Sequence, residues 1–328
     1  MDIAVFDAKQ YDVDSFMKYQ GQEGLYFKFY ESRLGEDTVS LAEGSVGVCV
    51  FVNDSVTKVV IDELCKMKCK FIALRCAGFN NVNVDYARGK IAVFRVPDYS
   101  PYAIAEHSMA MLLTLDRKIH RAYIRTRDYN FSLNGLMGFD LYGKTMGVIG
   151  TGRIGRAFVR ICQGFGMNVI AYDKYPDTTV GVKYTTLEEI FESSDIISLH
   201  CPLTEDTFHL IDDQAISRMK DGVIIVNTSR GALINASALL KGILSRKIGG
   251  ACLDVYEEET DIFYEDRSGH IIDDSILSRL ISMPNVIVTS HQAFLTKEAL
   301  DNISEVTFNN IYKCLSGELS GNELYGMV

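Results

Sequence analysis

Positive charge is in short supply in this chain of 328 residues, with 33 Lys and Arg against 43 Asp and Glu and a formal net charge of −10. That balance disfavours nucleic acid or an anionic membrane as a partner, short of a local basic patch. Proline is scarce, at five residues, so no stiff linker is indicated. No run approaches eighteen apolar residues, which excludes a spanning helix on length. The start, Met1 to Asp7, reads as a short strand with neither a basic leader nor a long apolar core, so the expected location is cytoplasmic. There is no internal repeat and no low-complexity segment. Cysteine is not lacking, but the eight residues lie largely inside apolar runs, as Cys49 does, and suit buried thiols in a reducing compartment. Cys65 and Cys69 sit four apart on a predicted helix with no histidine nearby, and no metal site is expected.

With 47% hydrophobic and 23% charged residues, the chain is ordinary globular protein, and its length predicts two domains. Strand-like apolar runs alternate with helical patterns, which predicts an α/β protein with doubly wound parallel sheets. Ile3–Phe6, Leu25–Tyr30, Val46–Phe51, Phe71–Leu74 and Ile91–Arg95 form a first set of strands, with helices over Val56–Met67 and Val84–Lys90. Ser100-Pro101 is a cap followed by a first-turn proline. One long helix is predicted after it, from Tyr102 to about Arg127, apolar nearly all round in its first half and basic and amphipathic in its second. The strands Ile196–His200, Gly222–Asn227, Gly249–Asp254 and Val286–Thr289 belong to a second set. The helical run Thr296 to Leu315 is expected to return to the first domain. The domains are then 1–100 plus 296–328, and 101–295.

The sharpest local signal is Gly147-Val148-Ile149-Gly150-Thr151-Gly152-Arg153-Ile154-Gly155. A buried strand ends in G-x-G-x-x-G and a helix follows. Gly150 permits the tight turn, Gly152 lets a diphosphate approach the main chain, and Gly155 lets helix and strand pack closely. The helix N-terminus adds partial positive charge for phosphates. A second strand, Asn168 to Tyr172, ends in Asp173, at the distance of a ribose-binding acid. A chance glycine-rich turn does not account for strand, turn, helix, strand and acid in that order.

Polar clusters stand at three later strand ends, namely Asn227 to Gly231, Asp254 to Glu259 and Ser290-His291-Gln292. Taken singly, Arg230 reads as a surface ion pair, Glu259 as a solvated acidic face and His291 as a core histidine. At successive strand ends after a nucleotide motif they suit hydride transfer to a 2-keto acid. A ketone gaining hydride needs a proton donor, for which an imidazole is suited near neutral pH. A carboxylate on its other nitrogen orients the ring and favours the charged form. An arginine holds the substrate carboxylate and polarises the keto oxygen.

In these motifs, and in Leu74 to Asn81, Val96 to Pro101 and Ser290 to Phe294, the chain resembles the D-specific 2-hydroxyacid dehydrogenases, and most closely their fermentative D-lactate-forming branch. The resemblance runs over essentially the whole length. It implies a Rossmann NAD-binding domain inserted into a smaller flavodoxin-like substrate domain, and reversible reduction of pyruvate to D-lactate by NADH. It implies Arg230 on the substrate carboxylate and carbonyl, and His291 as general acid and base paired with Glu259. It further implies Ala77 and Gly78 N–H groups on the carboxylate, with help from the Tyr99 hydroxyl, and Phe294 walling the side-chain pocket. For the cofactor it implies Asp173 on the adenosine ribose and Arg153 and Ile154 at the diphosphate. His200, Cys201 and Pro202 line the adenosine side, with Asp254 and the backbone near Thr228 at the carboxamide. A homodimer built from cofactor domains, or a homotetramer of such dimers, follows from the same resemblance. Alternatives are a dehydrogenase for a larger 2-keto acid or hydroxypyruvate, and an NAD(H)-sensing corepressor-like protein. Cys76 and the acidic stretch 257–274 have no role derivable from sequence, and the stretch reads most simply as a solvated connection. His107, His120, His209 and His270 fall outside the constellation.

Overall fold

The computed structural model describes residues 1–259 and 262–325. The chain divides into two compact units, one of Met1–Ser100 with Leu295–Val328 and one of Pro101–Phe294.

The first unit begins with parallel strands β1 (Asp2–Val5), β2 (Tyr26–Phe29), β3 (Gly47–Val50), β4 (Phe71–Leu74) and β5 (Ala92–Phe94). β3 and β4 are apolar and buried along their whole length, as central parallel strands must be when both faces are covered. Helices α1 (Gln10–Phe16), α2 (Lys58–Lys66) and α3 (Val84–Ala87) connect them. Thr57 caps α2 by accepting the Val60 N–H.

The second unit opens with α4 (Pro101–Arg117) and α5 (Ile119–Arg127). The single long helix expected over 102–127 is therefore two. Lys118 takes left-handed angles, φ 51° and ψ 38°, and its ammonium is held by the carbonyls of Asp116 and Met137. The Asp116 carboxylate accepts the Phe139 N–H at 2.8 Å, so the returning chain pins the break. Neither glycine nor proline marks it, and the amphipathic pattern runs straight across. Then come β6 (Thr145–Ile149), α6 (Arg153–Gly164), β7 (Asn168–Tyr172), β8 (Lys183–Tyr184), α7 (Leu187–Ser193) and β9 (Ile196–Leu199). They are followed by α8 (Asp213–Arg218), β10 (Val223–Asn227), α9 (Ala236–Leu244), β11 (Ile248–Leu253), α10 (Ser275–Ser282) and β12 (Val286–Val288).

These seven strands are all parallel, in the order β12-β11-β10-β9-β6-β7-β8. Successive residues alternate between two cores. Val148, Ile196 and Val226 pack with α4 and α6, whereas Ile149, Ile197 and Ile225 pack with α7, α8 and α9. Chain direction across the sheet reverses between β6 and β9, and in such sheets ligands bind outside the strand ends at that point.

The chain re-enters the first unit through α11 (Lys297–Ser316) and ends in β13 (Glu323–Tyr325). Phe308 and Ile311 of α11 join Phe16, Phe27, Phe71 and Phe94 in the core. β13 pairs antiparallel with β5, completing the order β13-β5-β4-β3-β1-β2. This edge strand is an exception to the expected all-parallel sheet, and its three residues are too few to show a period.

Candidate active site

The glycines of the loop after β6 do three separate jobs. Gly150 has φ 95°, and a Cβ there would lie 2.6 Å from the Cys201 nitrogen. A Cβ on Gly155 would lie 2.0 Å from the Gly150 carbonyl oxygen, so the first turn of α6 sits on the loop itself. Gly152 differs, because its angles are ordinary (φ −63°) and a Cβ would meet nothing within 4 Å. Neither strain nor packing asks for glycine there. What it keeps clear is the space at the N-terminus of α6, where a diphosphate is electrostatically favoured. Arg153 and Ile154 form the first turn, the former exposed and the latter half-buried.

Asp173, directly after β7, accepts the Thr151 N–H at 2.6 Å, the Thr151 hydroxyl at 3.0 Å and the Tyr175 N–H at 2.8 Å. Burial pushes its carboxyl up, but these bonds and the Arg156 charge outweigh it and hold the group below the ordinary aspartate value. It is a fixed anion across the neutral range. After β9, His200 packs on Phe158 with ring centroids 4.8 Å apart, and its Nε2 meets the Ser198 hydroxyl at 2.9 Å. Burial pushes it down to about 3, so the ring is neutral. Cys201 is buried, with its thiol pushed up to about 11, and Pro202 is exposed.

The loop after β10 is organised by Asn227, whose side chain accepts the Ser229 N–H at 3.0 Å and donates to the Arg230 carbonyl at 2.8 Å. The Thr228 and Ser108 hydroxyls meet at 2.7 Å, both buried. Arg230 is half-buried and donates to the Ser229 carbonyl at 2.7 Å, and no carboxylate among the described residues pairs with it. A Cβ on Gly231 would fall 2.0 Å from the Tyr256 carbonyl carbon, so the Arg230 loop lies directly on the loop after β11.

That second loop carries the acidic run, and its members separate. Glu259 accepts from the His291 ring at Nδ1, 2.8 Å away, and from the Tyr256 N–H at 2.9 Å. Glu257 instead pairs with His209 at 2.5 Å and accepts the Ala236 N–H, and Glu258 is exposed. His291 has φ 53°, a left-handed conformation costly for a non-glycine residue and typical of functional sites. Its N–H donates to the Asp254 carbonyl at 2.7 Å, and its carbonyl accepts the Tyr264 hydroxyl at 3.0 Å.

Asp254 is completely buried, and its oxygens accept from Thr289 Oγ1 (2.6 Å) and the N–H groups of Gln292 and Ala293 (2.9 Å each), with His107 Nε2 at 3.4 Å. Burial raises its carboxyl, but the His107, Thr289, Ala293 and Gln292 bonds hold it below the usual value. It fastens the backbone on either side of His291. The one signal of His107 in the sequence is a polar residue on an apolar helix. The stretch 257–274 is no mere solvated connection either, since Phe263 is buried in the core and Tyr264 braces His291. Thr260 and Asp261 lie outside the described residues.

In the first unit, Ala77 and Gly78 follow β4, and Tyr99 is half-buried near that unit's end. Phe294, the last residue of the second unit, is buried.

Residues 109–293 match the family described as D-isomer specific 2-hydroxyacid dehydrogenase, NAD binding domain, over more than half of the chain. The chain belongs to this family. It is 50% identical to the D-lactate dehydrogenase of Escherichia coli K12 over 328 residues, 99% of this chain and 100% of that one. The pyruvate reductase of Chlamydomonas reinhardtii has a solved structure that superposes with a TM-score of 0.93 at 40% identity, over 98% of each chain. The NAD⁺ complex of the Lactobacillus jensenii D-lactate dehydrogenase superposes at 0.83 with 29% identity, over 99% of this chain and 100% of that one. The cofactor of this 2-hydroxyacid dehydrogenase is NAD. The clear space at Gly152, the α6 N-terminus and the ionised Asp173 all fit a dinucleotide.

Proposed function

We propose that the chain interconverts pyruvate and D-lactate with NADH and NAD⁺. The observation that carries this reading is the His291–Glu259 pair at 2.8 Å, on a loop in contact with the one bearing an Arg230 that has no carboxylate partner among the described residues. Likeness to an E. coli D-lactate dehydrogenase at 50% identity supports the substrate. NADH supplies the hydride. Arg230 binds the substrate carboxylate and polarises the keto oxygen through charge-assisted hydrogen bonds. With Nδ1 committed to Glu259, Nε2 of His291 is the nitrogen that delivers a proton to that oxygen in reduction and removes it in oxidation. Ala77, Gly78 and Tyr99 assist at the carboxylate, and Phe294 limits the side-chain pocket. Asp173 takes the ribose hydroxyls, while His200, Cys201 and Pro202 line the adenosine side and Asp254 and the backbone near Thr228 stand at the carboxamide.

The test is NADH oxidation over a panel of 2-keto acids, with chiral analysis of the product. Pyruvate preferred and D-lactate formed is the expected result. Preference for hydroxypyruvate or a larger 2-keto acid would move the substrate, and no turnover with any of them would remove the proposal. The same reading includes a homodimer and a cytoplasmic, fermentative setting. Tyr123, Ile124, Tyr129, Phe131, Leu133 and Met137 form a run of exposed apolar side chains suited to cover by a second copy. Free thiols at all eight cysteines accord with a reducing compartment, and no helix among the described residues is long and apolar enough to cross a membrane.

A further inference from the structure

Arg95, directly after β5, is half-buried and donates through Nη1 to the Ala77 carbonyl at 2.6 Å. Its guanidinium also lies over the Phe79 ring, 5.1 Å from the centroid. Among the described residues no carboxylate is paired with it. Its own backbone is held on both sides by the returning chain, since the Arg95 N–H donates to the Asn322 carbonyl at 3.2 Å and Asn310 Nδ2 donates to the Arg95 carbonyl at 3.0 Å. Asn322 in turn donates to Asn310 at 2.8 Å. A cation is therefore built into one place without a local anion to neutralise it.

Its target explains the arrangement. Every peptide described is trans, so the C=O of one residue and the N–H of the next point in opposite directions. The Cys76 carbonyl is held by the Val96 N–H at 3.2 Å, the Ala77 carbonyl by Arg95, and the Gly78 carbonyl by the Cys76 thiol at 3.3 Å. With the carbonyls fastened, the N–H groups of Ala77 and Gly78 are directed the other way, and among the described residues neither has a hydrogen-bond partner. A cation on the Ala77 oxygen also polarises that peptide and makes the Gly78 N–H a stronger donor. Cys76 and the bond to Val96 supply alignment without charge.

We propose that Arg95 is a positioning residue for the substrate carboxylate, turning and polarising the Gly78 N–H through the Ala77 carbonyl. The inference rests on the reading above that these N–H groups bind the carboxylate of a 2-keto acid. Arg95→Gln keeps a neutral donor and removes the charge, whereas Arg95→Lys keeps the charge and removes the fork. Steady-state kinetics of the full-length enzyme, varying pyruvate and NADH separately, test it. Arg95→Gln is expected to raise the pyruvate KM about tenfold, as for loss of one charge-assisted contact, with the NADH KM unchanged. Arg95→Lys should recover most of it, to within about threefold of the parent. An unchanged pyruvate KM in Arg95→Gln would overturn the inference, as would equal rises for pyruvate and NADH, which mark a merely structural loss. Should Arg95→Gln not fold, Arg95→Met removes the charge in its place: a higher pyruvate KM with an unchanged NADH KM supports the inference, and an unchanged pyruvate KM overturns it. A parent protein that oxidises NADH with no 2-keto acid would bring down the underlying reading, and the inference with it.

Discussion

His291 sits in a left-handed backbone conformation because its N–H is taken by the Asp254 carbonyl and its ring by Glu259. Those contacts leave one ring nitrogen for chemistry, and they make the residue's loss specific. His291→Ala should cut kcat for pyruvate reduction about a hundredfold or more with NADH binding little changed, as stopped-flow NADH titration would show. Glu259→Gln removes the carboxylate that orients the His291 ring, so kcat for pyruvate reduction should fall about tenfold or more with NADH binding little changed. Glu257→Gln should leave kcat near the parent value, because Glu257 serves His209. A kcat that falls in the second variant and not the first would reassign the partner. His200 gives a stability prediction. The folded chain keeps it neutral down to about 3, while the unfolded chain protonates it near 6.5. Between those values the unfolded state holds the extra proton, so stability is lost as pH falls below 6.5, by about 1.4 kcal/mol per pH unit for one proton. Urea midpoints at pH 7 and pH 5 should differ less in His200→Gln than in the parent, and equal differences would count against the enclosure of His200 as the cause.

At the level of elements, two glycines separate function from packing. Gly152 faces open space at the start of α6, so Gly152→Ala should leave thermal stability nearly intact while weakening NADH binding. Gly231 is pressed on the Tyr256 backbone, so Gly231→Ala must push the loops after β10 and β11 apart. It should cost stability by about 1–3 kcal/mol as overpacking does, and lower activity with it. Calorimetric melting beside NADH titration distinguishes the two, and a Gly152→Ala protein with a large melting loss would mean that the space there is structural. Asp173 at the end of β7 belongs to the same scale. Its negative charge repels a 2′-phosphate, so NADH should be strongly preferred to NADPH, and Asp173→Ala should impair NADH use more than NADPH use. Equal efficiency with both cofactors in the parent would refute that role.

At the scale of the whole molecule, α5 buries none of its residues, and the segment after it carries exposed Tyr129, Phe131, Leu133 and Met137. This exposed apolar segment is the surface on which the proposed self-association is tested. Light scattering should give at least twice the chain mass at micromolar concentration, and Ile124→Asp should shift the population toward the monomer. A parent that is monomeric throughout would exclude this surface as a self-association site. The return of the chain through α11 and β13 also has a chemical consequence, because Asn310 and Asn322 are what hold Arg95 in place.

Sequence by itself determined the local grammar. Gly150, Gly152, Gly155 and Asp173 are legible because their roles depend on short spacing around one strand–turn–helix. Arg230, Glu259 and His291 are legible because parallel sheets bring successive strand ends to one edge. Tertiary structure decided what depends on distant partners. Which of three adjacent glutamates meets His291 turns on the Tyr256 N–H and the competing His209. Asp254 is a buried fastener because Thr289, His107 and two backbone N–H groups converge on it. Lys118 breaks a helix because the Asp116 side chain binds a residue 23 positions on. Arg95 reaches Ala77 only because β5 lies beside β4 in the sheet. None of these leaves a periodic or compositional trace, since each is set by where a second segment of chain comes to rest.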